Sequence, residues 1–185
     1  MTDSSTTNKS APALFKVVVT GSECTGKTTL VQALAARFRT AFSPEGARHY
    51  LNQVKRPLSF KDVEPIAHHQ VSLEREALEQ AEKLVILDTD LLSTVIYSHH
   101  YYGECKNWIV EMAMSRIADL YLLCDIDVPW TEDGLQRDQG QPEQRRQVHQ
   151  AFIRELNRIQ APHVVLSGDE DTRLGHAIAI IEAYF

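Results

Sequence analysis

Apolar residues gather along the chain in five short runs separated by longer amphipathic stretches. The runs are Phe15 to Val19, a weaker pair at Ala41-Phe42, Leu84 to Leu87, Leu120 to Cys124 and Val164 to Leu166. None alternates with polar residues. Strands apolar on both faces are those buried between two helical layers in a parallel sheet, whereas a sheet with one wet face alternates. Between the runs the apolar period changes to three and four. Leu30, Ala33, Leu34 and Phe38 predict one helix. From Asp62 to Lys83, the positions Ile66, Ala67, Leu73, Ala77, Leu78 and Ala81 predict a longer one, with Glu74, Glu76 and Glu79 on a solvated face. Further helices are expected near Leu91 to Tyr101, Trp108 to Ile117, Glu143 to Ile159 and Thr172 to Ala183, each bounded by turn-forming residues. This alternation predicts an α/β fold with a doubly wound sheet, whose ligands bind beyond the carboxyl ends of the strands.

Two segments fall outside the pattern. Residues 1–12 are Ser/Thr-rich and apolar-poor, and are read as a disordered tail before a single domain over 13–185. Asp133 to Arg146 is rich in Gly, Gln and Arg, and is read as a mobile excursion, a lid over about 131–147.

Composition narrows the partners. With 185 residues and 43% hydrophobic content, one core is expected. A net charge of −6 supplies no overall basic field for a nucleic-acid backbone. Three cysteines without metal-ligand spacing suit a reducing compartment, no apolar run approaches the length of a membrane span, and a cytoplasmic location is expected. Oligomeric state, including a homo-oligomer, is not legible.

The strongest chemical signal is Gly21-Ser22-Glu23-Cys24-Thr25-Gly26-Lys27-Thr28, a complete G-x-x-x-x-G-K-[ST] between a buried strand and an amphipathic helix. Glycines let backbone N–H groups turn inward around a phosphate, and the helix start adds partial positive charge. Lys27 is placed to reach the outer phosphates. The Thr28 hydroxyl suits magnesium, and Thr29 continues the nucleotide-binding run, so ATP and Mg2+ are the expected cofactors. Cys24 is read as a small filler. A second constellation ends the Leu84 to Leu87 run in Asp88-Thr89-Asp90. Asp88 is the expected metal partner across from Thr28. For Asp90, capping of the next helix and contact with substrate both fit. No N-K-x-D follows, which disfavours a guanine-nucleotide switch.

These motifs resemble the ribosylnicotinamide kinase domain of NadR-type NAD-biosynthesis proteins. The resemblance covers nearly everything after the tail. It rests on Gly21 to Thr28, on Pro44-Glu45-Gly46-Ala47-Arg48 as a version of an E-x-x-R element, on Asp88-Thr89-Asp90, and on Pro129-Trp130-Thr131-Glu132-Asp133-Gly134-Leu135. It implies a P-loop, nucleoside-kinase-like fold with a five-stranded parallel core, and ATP-dependent phosphorylation of the 5′-hydroxyl of nicotinamide riboside. It also implies Glu45 as base, with Asp88 the rival. Arg48 would orient that carboxylate or hold the substrate, and Tyr102 would lie beside the base-binding region. Trp130 would stack on the acceptor or anchor the lid, whose Arg137, Arg145 or Arg146 would meet the phosphates. Ser167 to Arg173 would wrap adenine.

The chain departs from the family pattern in two places. Pro44 and Gly46 stand where aromatics usually flank the glutamate, and Gln136 fills the slot before Arg137 where a lid arginine is expected. Another nucleoside or small hydroxylated metabolite therefore stays open as acceptor, as does a nucleotide-dependent regulatory protein with weak ATPase activity.

Overall fold

The computed structural model describes residues 14–130 and 142–185. The expected tail, most of the expected lid and Arg137 lie outside them. All five strands and every expected helix are found, in the order β1 (Phe15–Thr20), α1 (Lys27–Phe38), β2 (Phe42–Ser43), α2 (Gly46–Val54), α3 (Phe60–Gln80), β3 (Leu84–Asp88), α4 (Leu91–Tyr102), α5 (Asn107–Ser115), β4 (Leu120–Cys124), α6 (Pro142–Arg158), β5 (His163–Leu166) and α7 (Glu170–Glu182). The strands form one parallel sheet in the order β2-β3-β1-β4-β5. No helix of the described residues is long and apolar enough to cross a membrane.

The core divides as the strand pattern requires. One sheet face packs Val17, Val19, Ile86 and Leu122 against α1 and α7; the other packs Val18, Val85, Leu87 and Leu123 against Phe152 and Leu156 of α6. Burial on both faces is what makes β3 and β4 continuous apolar runs. The order reverses around β1, since β3 lies on one side and β4 on the other, and the loop after β1 opens at that switch point.

Two expectations change. Helix α2 is not predicted by the pattern, although Ala47 and Leu51 carry a short period of four. The stretch Asp133 to Arg146, expected as an excursion, is helical from Pro142 onward, and Arg145 is buried within α6. The wall formed by α2 and α3 is tied at one end by Asp62. It completes a capping box with Ser59 and accepts hydrogen bonds from Tyr50 and from both guanidinium nitrogens of Arg56. The Arg56 guanidinium holds its carboxyl well below the usual carboxylate range.

Candidate active site

Between β1 and α1 the backbone turns through three left-handed positions, Gly21, Cys24 and Gly26. Glycine is required at two of them for different reasons. A Cβ on Gly21 would sit 2.8 Å from the Cys124 carbonyl oxygen of β4. Gly26, the N-cap of α1, has φ 80 and would meet nothing within 4 Å, so there the conformation alone demands glycine and the space beside it is open. Lys27 is buried and donates from Nζ to the Ser22 carbonyl at 2.7 Å; the Thr25 hydroxyl donates to the same oxygen at 2.8 Å. The cradle is thus closed by its own side chains, with the ammonium lying over the loop.

Thr28 Oγ1 donates to Asp88 Oδ2 at 2.6 Å, which unites the two motifs singled out by the sequence. The Asp88 carboxyl is pushed up to about 6, first by burial and then by the negative charge of Glu45, against the opposing pull of Lys27, Thr28 and Arg48. Its Oδ1 is buried without a hydrogen-bond partner. A buried, unsatisfied carboxylate oxygen next to a threonine hydroxyl and a phosphate loop is the donor set a hard cation prefers, so Thr28 and Asp88 fit a magnesium site.

Beside the cradle lies an open cleft. Its walls are Glu45, Ala47 and Leu51 of α2, Val63, Ile66 and Gln70 of α3, Thr89 at the end of β3, and Tyr97, Tyr101 and Tyr102 of α4, with Glu23 of the loop at its mouth. Mostly apolar lining with a few polar groups suits a small organic ligand. The Tyr97 and Tyr101 rings are nearly parallel, at 9° with centroids 6.0 Å apart. Aromatic surface, absent at positions 44 and 46, is supplied here by α4. The Tyr97 hydroxyl reaches the Gly21 carbonyl at 3.4 Å and joins the cleft to the cradle.

The expected site residues fare differently. Glu45 lies in the cleft, and Arg48 Nε stands 3.7 Å from its Oε2. Tyr102 lines the cleft and packs edge-on against Phe60. Asp90 is taken up by structure: Oδ1 accepts from the Ser93 amide as the cap of α4, and Oδ2 accepts from the Tyr121 hydroxyl at 2.8 Å. Both oxygens are thus engaged, Asp90 caps α4, and it is not among the residues of the cleft wall. Trp130 is 37% exposed and is not part of that wall. Arg146 pairs with Glu143 on the surface, whereas Arg145 donates to the Cys24 carbonyl at 3.1 Å and the Val128 carbonyl at 2.7 Å, so its charge sits against the cradle.

Three features escaped the sequence reading. Arg173 is buried and donates to the Thr25 carbonyl at 2.7 Å and to Asp127, fastening the cradle to the ends of β4 and β5. The loop after β5 is drawn to the same place, with Ser167 donating to Asp125 and the Gly168 amide to Asp127. Glu74 is not on a solvated face: it is buried, bonded by Arg116 Nη2 at 2.8 Å and by Gln70 Nε2 at 3.1 Å. Gln70, its hydrogen-bond partner, is likewise buried. Only sequence-distant partners reveal either burial.

With this geometry in place, comparison with known proteins identifies the family. The model of an AAA domain family, AAA_28, matches residues 16–173. The chain belongs to this family. It is similar to the trifunctional NAD biosynthesis/regulator protein NadR of Salmonella typhimurium, at 28% identity over 172 residues, covering 90% of this chain and 42% of that protein. NadR of Escherichia coli is 27% identical, covering 89% of this chain and 41% of that protein. Among solved structures it is similar to NadR in complex with NAD and AMP-PNP, with a TM-score of 0.79, 27% identity and coverage of 92% and 49%. NadR in complex with NR gives 0.72, 26%, and 92% and 51%. Thymidylate kinase from Ehrlichia chaffeensis, with a TM-score of 0.68 and 16% identity, shares the fold. The chain thus spans about half the length of the NadR proteins it matches.

Proposed function

We propose that this chain is an ATP- and Mg2+-dependent kinase that transfers the γ-phosphoryl group to the 5′-hydroxyl of nicotinamide riboside, acting in the cytoplasm as a step of NAD biosynthesis. The observation that carries it is the meeting of two acids where cradle and cleft join. Asp88 is bonded by Thr28 at the phosphate side, Glu45 lines the cleft, and the negative charge of Glu45 raises the pKa of Asp88. The similarity to NadR with AMP-PNP and NadR with NR supports a nucleotide on one side and a riboside on the other.

The residues divide the work as phosphoryl transfer requires, by positioning and charge stabilisation. Amides of residues 21–29 surround the phosphates at the start of α1. Lys27 leaves the Ser22 carbonyl and turns to the outer phosphate oxygens. Thr28 and Asp88 would hold a magnesium ion, which would supply neutralisation of the phosphates' negative charge when bound. Glu45 accepts the proton of the attacking hydroxyl, with Arg48 steering its carboxylate. Tyr102 and its neighbours on α4 hold the ring of the acceptor and exclude water. Trp130 would anchor the lid or stack on the acceptor, and Arg137, which lies outside the described residues, would have the role of meeting the transferring group. Arg145, already against the cradle, adds fixed positive charge. Ser167 to Arg173 borders the adenine.

A panel assay tests the reading. Purified chain with ATP and Mg2+ should form ADP in proportion to added nicotinamide riboside, with the phosphorylated product confirmed by mass. No turnover above background with that riboside discards it as the acceptor. No turnover with any nucleoside or hydroxylated vitamin discards the kinase reading.

A further inference from the structure

Helix α2 begins without a cap of its own. Its N-cap residue, Glu45, makes no capping hydrogen bond with its side chain, because the carboxylate is turned toward Arg48 and the cleft. The first amides of a helix have no partner within it and need one from outside. For Gly46, the first residue of α2, the partner comes from α3: its N–H donates to Gln70 Oε1 at 2.8 Å. The approach is close enough that a Cβ on Gly46 would lie 2.8 Å from Gln70 Oε1 and 3.0 Å from Gln70 Cα. This explains why the residue after Glu45 carries no side chain.

The other half of the same amide works on β3. Gln70 Nε2 donates to the Thr89 carbonyl at 3.2 Å. Thr89 has φ 62, a left-handed conformation unfavourable for a β-branched residue, and it is the kink that aims Asp88 at Thr28 while leaving Asp90 to start α4. One side chain therefore grips the residue immediately after Glu45 and the residue immediately after Asp88. Its orientation is fixed by Glu74, which accepts from Nε2 at 3.1 Å and is itself held by Arg116. Gln70 and Glu74 are both nearly inaccessible to solvent, at 2% and 3% exposure.

We infer that Gln70, oriented by Glu74, is a positioning residue that fixes the separation of Glu45 and Asp88 by clamping the backbone that follows each. The two carboxylates repel each other, and neither the two-residue strand β2 nor the uncapped start of α2 can oppose that repulsion alone. Gln70 borders the cleft, but both ends of its amide are committed to protein groups, so its effect on the reaction passes through the acids and not through the acceptor. The inference rests on the kinase reading above.

Kinetics separate positioning from substrate contact. Gln70→Leu, close in size and without hydrogen bonds, should lower kcat about 10- to 100-fold while leaving KM for ATP and for the acceptor within about two-fold, since a misplacement of about 1 Å costs this much. The double variant Gln70→Glu with Glu74→Gln keeps a carboxylate–amide pair and the acceptor for the Gly46 N–H but has no donor for the Thr89 carbonyl, so it should still lower kcat at least about 10-fold with both KM values within about two-fold. A rise in acceptor KM at unchanged kcat would instead make Gln70 a substrate contact and overturn the inference. So would a loss confined to the folded fraction, with wild-type kcat per active molecule. If Gln70→Leu does not fold, the double variant carries the test: a kcat at least about 10-fold below wild type with both KM values unchanged supports the clamp, and wild-type kcat overturns it. Exchange of the backbone amide at position 46 decides the clamp independently of activity. That amide should be protected in the wild type and exchange at least about 10-fold faster in Gln70→Leu or, where that variant does not fold, in Gly46→Ala; equal protection overturns the clamp even if no acceptor is ever found.

Discussion

From Gly21 to Thr28 the ligand-facing groups come from consecutive residues and are mostly backbone amides. The adjoining cleft instead draws Glu45, Gln70, Thr89 and Tyr102 from α2, α3, the end of β3 and α4. In the first region a local conformation, set by two glycines and a helix start, already gives the proposed phosphate site its shape. In the second, nothing works until separate elements are packed, and its acids are held by a buried amide from a third helix. The teaching is that donor and acceptor recognition fail in different ways. Damage to the cradle removes chemistry and leaves the fold, whereas damage to the cleft moves parts relative to one another.

The contrast can be attacked in order of effect. Lys27→Ala should lower kcat by about 10³-fold or more with little change in thermal stability, because it removes charge from the transition state and only one internal hydrogen bond. Steady-state kinetics beside thermal denaturation check both halves. Glu45→Gln should cost about 10² to 10⁴ in kcat while leaving nucleotide affinity near wild type, as measured by calorimetry with a non-hydrolysable ATP analogue. Retention of activity there would pass the base role to Asp88.

Asp88→Asn should lower activity by about 10²-fold and weaken the Mg2+ requirement, with an opposite effect on the metal-free fold. The folded chain binds the Asp88 proton more tightly than the unfolded chain does, so ionisation costs stability. That cost is absent below about pH 4 and complete above the folded value of about 6. At about pH 7.5 the asparagine variant should therefore unfold at a temperature several degrees higher, corresponding to ~3 kcal/mol, and the gap should close near pH 4. Tyr102→Ala should raise acceptor KM about 10-fold without changing KM for ATP. Smallest of all, Arg146→Ala, which breaks an exposed pair with Glu143, should change neither constant beyond about two-fold.

How much of this was legible in the sequence follows the same division. The five apolar runs fall on the five strands within a residue or two, and the pattern is plainest for β3 and β4, which are buried on both faces. The cradle and Asp88 were legible because contiguous spacing specifies their geometry. Helix α2 was not, because only Ala47 and Leu51 mark its inner face and polar residues dominate the rest. Glu74 looks like any carboxylate on a helix surface until Arg116, 42 residues away, folds onto it. Arg173 looks like loop until it reaches Thr25, 148 residues back. Asp90 fitted two readings equally in sequence; its capping of α4 is seen, together with a bond from Tyr121 of β4 that no local pattern announces.

The shortness of β2 has a practical meaning for redesign. With two residues on the sheet edge, the segment from Glu45 to Leu58 owes its place chiefly to what Gln70 and Asp62 grasp, and only slightly to ladder bonds. It behaves as an exchangeable cartridge. A transplanted segment that keeps a glycine after its acid, a tyrosine and an arginine for Asp62, and the same length should dock on this scaffold, so a different alcohol could be recruited while the triphosphate end of the molecule stays untouched.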